Sequence, residues 1–86
     1  MKEMRELRSK IDKIDAEIIK KLSQRIVIAK KIGALKVKLG KEVLDKKREL
    51  QIERLHKRLS KKYKLNPKFV NTVFKTIVLY SRGVQK

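Results

Sequence analysis

The sequence predicts an all-α fold with three helices per chain, one long and two shorter, and three observations carry that expectation. Chain breakers are few, namely Gly33, Gly40, Pro67 and Gly83. Between them apolar residues recur mostly at steps of three and four. No stretch alternates long enough to make a convincing strand. The 86 residues read as a single domain, 1–86, with a thin core of the kind that often needs a partner chain.

The first helix is expected over about 2–39. Its seam is Leu7, Ile11, Ile14, Ile18, Leu22, Ile28, Ile32, Leu35 and Leu39, close to a heptad. Gly33 interrupts the run, at a cost of only about 1 kcal/mol against alanine. Gly40 ends it. The second helix is expected over about 45–63, opened by Asp45 as N-cap and striped by Ile52, Leu55, Leu59 and Tyr63. The third, about 67–84, begins at Asn66-Pro67, a cap followed by proline at the first helical position. Its stripe is Val70, Val73, Phe74, Ile77, Val78 and Ser81.

A helix of ~38 residues is ~57 Å long, whereas a compact monomer of this size has a radius of gyration of ~12 Å. The long helix therefore protrudes with a bare apolar seam. A second copy of the chain covers it most simply, which predicts an intertwined homodimeric helical bundle. A helix broken at Gly33 and folded back into a monomer is the alternative.

Composition narrows the functions. There is no cysteine and one histidine, His56, which removes thiolate chemistry and argues against a metal site or a Ser-His-Asp triad. The four aromatic residues make a poor base-stacking surface. The apolar runs are too short to span a bilayer, and the first residues do not read as a signal peptide, so a soluble, cytoplasmic protein is expected. Lysine and arginine number 26 against nine acids, a net charge of +17. All the acids lie at or before Glu53. This asymmetry fits a nucleic-acid footprint, a solvated surface or a field that draws in a small anion, with equal weight on charge alone.

Polar residues then stand where apolar ones are expected. Arg25 lies one turn beyond Leu22 and one before Ala29. Lys36 follows eleven residues later, within ~20° of three whole turns, so both cations point the same way about 16 Å apart. Arg48 precedes Ile52 by four, flanked by Asp45 and Glu49, while Ser81 and Gln85 extend the stripe of the third helix. Taken singly, each has an ordinary explanation: snorkelling or an ion pair for Arg25, solvated charge for Lys36, Arg48 and Glu49, capping for Asp45, a helix end for Ser81 and Gln85. His56 receives no role. Together the positions suit a small polyanion that also bears a hydroxyl. Arg8 is ~25 Å from Arg25 along the same helix, so it can join such a site only from a partner chain.

These residues resemble the all-helical class of chorismate mutases, the AroQ class. The likeness covers essentially the whole chain: residues 7–15 (LRSKIDKID), Arg25, Lys36, residues 43–49 (VLDKKRE), Ser81 and Gln85. The spacings from Arg8 through Gln85, namely 17, 11, 9, 3, 1, 32 and 4, agree with the pattern of that family. The resemblance implies an isomerase that rearranges chorismate to prephenate in phenylalanine and tyrosine biosynthesis, inside a dimer with two sites. It implies that Arg8 from the other chain and Arg25 hold carboxylates, and that Asp45 and Glu49 meet the ring hydroxyl. It implies that Arg48 and Ser81 complete the pocket and that Lys36 and Gln85 hydrogen-bond the ether oxygen. The reaction needs neither metal nor cofactor. Fused or associated pathway enzymes occur in such families, and neither membrane nor nucleic acid is an expected partner. An isochorismate-pyruvate lyase on the same fold, a small basic nucleic-acid-binding helical protein and a plain dimerisation module are the rival readings.

Overall fold

A computed structural model describes residues 1–42 and 45–85. Val43, Leu44 and Lys86 lie outside the described residues, as does the side chain of Gln85; the VL pair of the family-like segment is therefore not placed. The described chain consists of three helices in the order α1 (Lys2–Leu39), α2 (Lys46–Lys62) and α3 (Pro67–Gln85), with no strand among the described residues.

The helix ends follow from identifiable residues. Gly40 adopts φ 67° in the left-handed region, and the Lys41 amide donates to the Lys36 carbonyl at 2.8 Å, closing α1 in a Schellman turn. The same turn ends α2 without glycine: Lys64 takes φ 56° and the Leu65 amide donates to the Ser60 carbonyl at 2.9 Å. Asp45 caps α2 by accepting the Arg48 amide at 3.1 Å, so it lies just outside the helix in which the sequence placed it. Tyr63 likewise is the C-terminal cap of α2 and not part of it. Asn66 caps α3 by accepting the Lys68 amide at 2.8 Å, and α3 runs one residue past the expected end, to Gln85.

Packing departs from the expected seam. α3 is the central element, laid against α1 on one side and α2 on the other. On α1 the positions turned inward are Leu22, Arg25, Ile26, Ala29, Gly33 and Lys36, of which Ala29 and Gly33 are buried. Ile28, Ile32, Leu35 and Leu39 remain 43–58% exposed. They lie roughly 90° around the helix from the packed face at 100° per residue. Gly33 is thus a buried position, and the helix continues through it. That continuity excludes a fold-back at Gly33 within the chain.

The single chain is extended. Its extents are 57 × 25 × 16 Å and its radius of gyration is 16.3 Å. Its accessible surface of 7925 Å² exceeds the roughly 5300 Å² that a compact monomer of 10.2 kDa exposes. Among the described residues the one buried apolar side chain is Ala29. Every described residue before Leu22 is exposed. No helix is long and apolar enough to cross a membrane, as far as the described residues go.

Candidate active site

Because α3 lies between α1 and α2, the space left between those two helices is a cleft floored by α3. Its volume is about 560 Å³. α1 contributes Arg25, Ile28, Ala29, Ile32 and Lys36; α2 and its cap contribute Asp45, Arg48, Glu49 and Ile52; α3 contributes Val78, Ser81 and Arg82. Six of the eight residues singled out in the sequence therefore converge on one surface. The other two are Arg8 and Gln85. Arg8 is exposed on the protruding half of α1 and about 25 Å from Arg25, so it does not reach the cleft of its own chain. Gln85 is the last residue of α3, one turn beyond Ser81, and its side chain is outside the described residues.

The cleft is polar by construction. Arg25 donates from Nη1 to Ser81 Oγ at 2.5 Å, bridging α1 and α3. Ser81, 6% exposed, donates its own proton to the Ile77 carbonyl at 2.7 Å. A buried hydroxyl satisfied on both sides has one orientation, so the Arg25 guanidinium is fixed at the base of the cleft. Asp45 is engaged by the amide of Arg48. Among the described residues the Arg48 guanidinium makes one long contact, 3.5 Å, with Gln51 Oε1 on its own helix. No described side-chain nitrogen or oxygen is both buried and without a hydrogen-bond partner.

The site also holds a residue that the sequence pattern did not single out. Arg82 pairs with Glu49 across the α2–α3 gap. Arg82 follows Val78 by four, so it extends an apolar stripe with a cation just as Arg48 does before Ile52. That signal was present, one position around the helix from the Ser81 and Gln85 row. His56, given no role from sequence, stacks on Phe74 with ring centroids 4.0 Å apart at 41°. Its pKa is pushed below the ordinary imidazole value, first by burial and then by the positive charges of Arg25 and Arg48.

Chemically, the cleft offers guanidinium forks matched to carboxylates, a fixed hydroxyl and two engaged acids. Among the described residues no group of three or more His, Asp or Glu converges as a metal site.

Comparisons with known proteins identify the family. Residues 7–86 match the family model for chorismate mutase type II. The chain is 28% identical over 86 residues to a chorismate mutase of Methanocaldococcus jannaschii, covering all of this chain and 87% of that protein. It is 41% identical over 61 residues to a bifunctional chorismate mutase/prephenate dehydratase of Aquifex aeolicus. That match takes in 71% of this chain and 17% of the bifunctional protein.

Proposed function

The chain belongs to the chorismate mutase type II family, a family of isomerases, and from that premise we propose that the cleft floored by α3 is where it converts chorismate to prephenate. The product feeds phenylalanine and tyrosine biosynthesis. The observation that carries the assignment is convergence: Arg25 and Lys36 from α1, Asp45, Arg48 and Glu49 from α2 and its cap, and Ser81 from α3 line one space of about 560 Å³.

The reaction is a pericyclic shift in which one C–O bond breaks as one C–C bond forms, with no proton transfer and no nucleophile. Two demands fall on the protein. It must hold the flexible enolpyruvyl arm over the ring in a compact conformer, and it must stabilise negative charge that grows on the departing ether oxygen. Arg25, fixed by Ser81, and Arg48 serve the two carboxylates. Lys36 and Gln85 donate to the ether oxygen, and an amide at Gln85 donates at any pH. Glu49 accepts the ring hydroxyl, with backbone at Asp45 assisting.

The site is completed by a second copy of the chain. The exposed seam of α1, with Leu7, Ile11, Ile14 and Ile18 each 52–58% exposed, supports a dimer in which long helix pairs with long helix. Arg8 of one protomer then enters the cleft of its partner and adds a further cation for a carboxylate. A fused or associated pathway enzyme is a further part of this reading, supported by the bifunctional relative.

The test is direct. Purified protein mixed with chorismate consumes its ultraviolet absorbance and yields prephenate. A protein that is folded and dimeric yet leaves chorismate unchanged refutes the assignment.

A further inference from the structure

A cleft meant for a doubly negative ligand has a difficulty with its own acids. Asp45 and Glu49 both line it together with Arg25, Lys36 and Arg48. A carboxylate on a flexible side chain competes with the ligand for those cations, and it has the advantage of being tethered. Asp45 is kept from this by its capping bond to the Arg48 amide. Glu49 is kept from it by Arg82 alone among the described contacts: the guanidinium reaches from α3 and pairs with Glu49 Oε1.

The placement of the pair supports the same conclusion. Glu49, Ile52, Val78 and Arg82 also line a second, smaller cavity of about 230 Å³ between α2 and α3, on the His56 and Phe74 side. The ion pair stands in the wall between the two cavities, so Arg82 draws the Glu49 carboxylate to the α3 edge of the larger cleft. We infer that Arg82 is a positioning residue that holds Glu49 at this wall, leaving Arg25 and Arg48 to the carboxylates of the substrate and presenting Glu49 to its ring hydroxyl. The inference rests on the functional reading above.

Both partners are partly exposed, 33% for Arg82 and 38% for Glu49. A pair this wet contributes modestly, so the expected effects are small and specific. Arg82→Ala raises KM for chorismate about 5-fold, with a proportionally smaller change in kcat. Arg82→Lys restores most of the loss, because an ammonium still reaches the carboxylate. The distinguishing measurement is a double-mutant cycle with Glu49→Gln. In the Glu49→Gln background, Arg82→Ala leaves KM within about 2-fold, since a neutral amide does not compete for the cations. An equal rise of KM in both backgrounds overturns the inference, because Arg82 would then act on the substrate directly. An unchanged KM with only a lowered melting temperature also overturns it, because the pair would then be merely structural.

The same cycle read by binding of malate, a dicarboxylate bearing a hydroxyl, tests the role without turnover. The ring signals of His56 report that binding by NMR. Weaker malate binding in Arg82→Ala but not in the double variant supports the role of Arg82, whatever the protein does with chorismate. Equal weakening in both backgrounds, or none in either, refutes that role alone. Failure of the unmodified protein to turn over chorismate refutes only the assigned function.

Discussion

The two halves of α1 carry the same kind of apolar spacing and meet different surroundings. From Leu22 to Lys36 the inward positions lie against the rest of the chain, and the row of Arg25, Ala29 and Lys36 becomes one wall of the cleft. From Lys2 to Lys21 every residue of the helix is exposed, and Ile11 and Ile14 remain 56% and 58% open. One half is thus occupied in building a site, while the other has its apolar rows and Arg8 available to a different molecule. On the dimer proposed above, the difference explains why so small a chain needs such a long helix. One end of the helix frames its own pocket, and the other is long enough to deliver a cation to a second pocket.

The largest expected effect breaks this division of labour. Arg8→Ala and Arg25→Ala each remove one cation from every site, so each purified variant is strongly impaired in chorismate turnover. Mixed and allowed to exchange chains, they recover about a quarter of the unmodified rate, because half the dimers are mixed and each mixed dimer keeps one intact pocket. If no turnover returns once mass spectrometry has demonstrated chain exchange, Arg8 of one protomer does not complete the pocket of the other. A charge placed on the bare half, as in Ile14→Asp, should by the same logic separate the chains in sedimentation and abolish turnover with them. The corresponding change at exposed Val37, which lies 75% open, should do neither.

Within the cleft half, Lys36→Ala sharpens the contrast. Removing one donor at a developing oxyanion costs roughly 10²–10³ in kcat, and that is the loss expected here while the dimer stays intact. Ser81→Ala comes next in size. It leaves Arg25 charged but removes the hydroxyl that orients it, so turnover should fall by about 10-fold, in keeping with the loss of one hydrogen bond to a charged group. If steady-state kinetics rank Ser81 above Lys36, the roles given to the two positions are reversed.

Much of this arrangement was legible in the sequence because it rests on local chemistry. Gly40, Asp45 and Asn66-Pro67 mark helix ends by rules that operate within a few residues, and each lies where its rule places it. The cleft residues were legible for a related reason: a polar side chain on an apolar stripe is visible before any tertiary contact is known. What was not legible depended on which of several rows a neighbouring helix would choose. Ile28, Ile32, Leu35 and Leu39 continue the heptad-like seam, yet the buried positions of α1 are the smaller Ala29 and Gly33, about a quarter-turn away. A straight helix drifts about 20° per heptad relative to a strict seven-residue repeat, so a seam that faces a partner at one end turns aside by the other. Arg82 escaped notice because it belongs to the row of Val78, beside the row followed through Ile77 and Ser81.

The smallest expected effect uses the one histidine to hear from the cleft. His56 sits on Phe74 behind the site, and its pKa is lowered by burial first, then by Arg25 and Arg48. Above the ordinary imidazole value of about 6.5 the ring is neutral in folded and unfolded chains alike, and His56 adds no pH dependence. As pH falls below that value the unfolded chain takes up the proton first, so stability declines until the depressed folded value is passed, where the slope from this residue ends. The melting temperature of the unmodified protein should therefore fall more than that of His56→Gln over this window. Binding of a dicarboxylate acts on only part of the cause. It neutralises the charges on Arg25 and Arg48 and leaves the burial in place, so the His56 titration midpoint should move up toward the ordinary value without reaching it. An NMR titration that is identical with and without saturating malate would place the bound anion away from these two arginines, and the cleft half of α1 would lose its claim to the substrate's carboxylates.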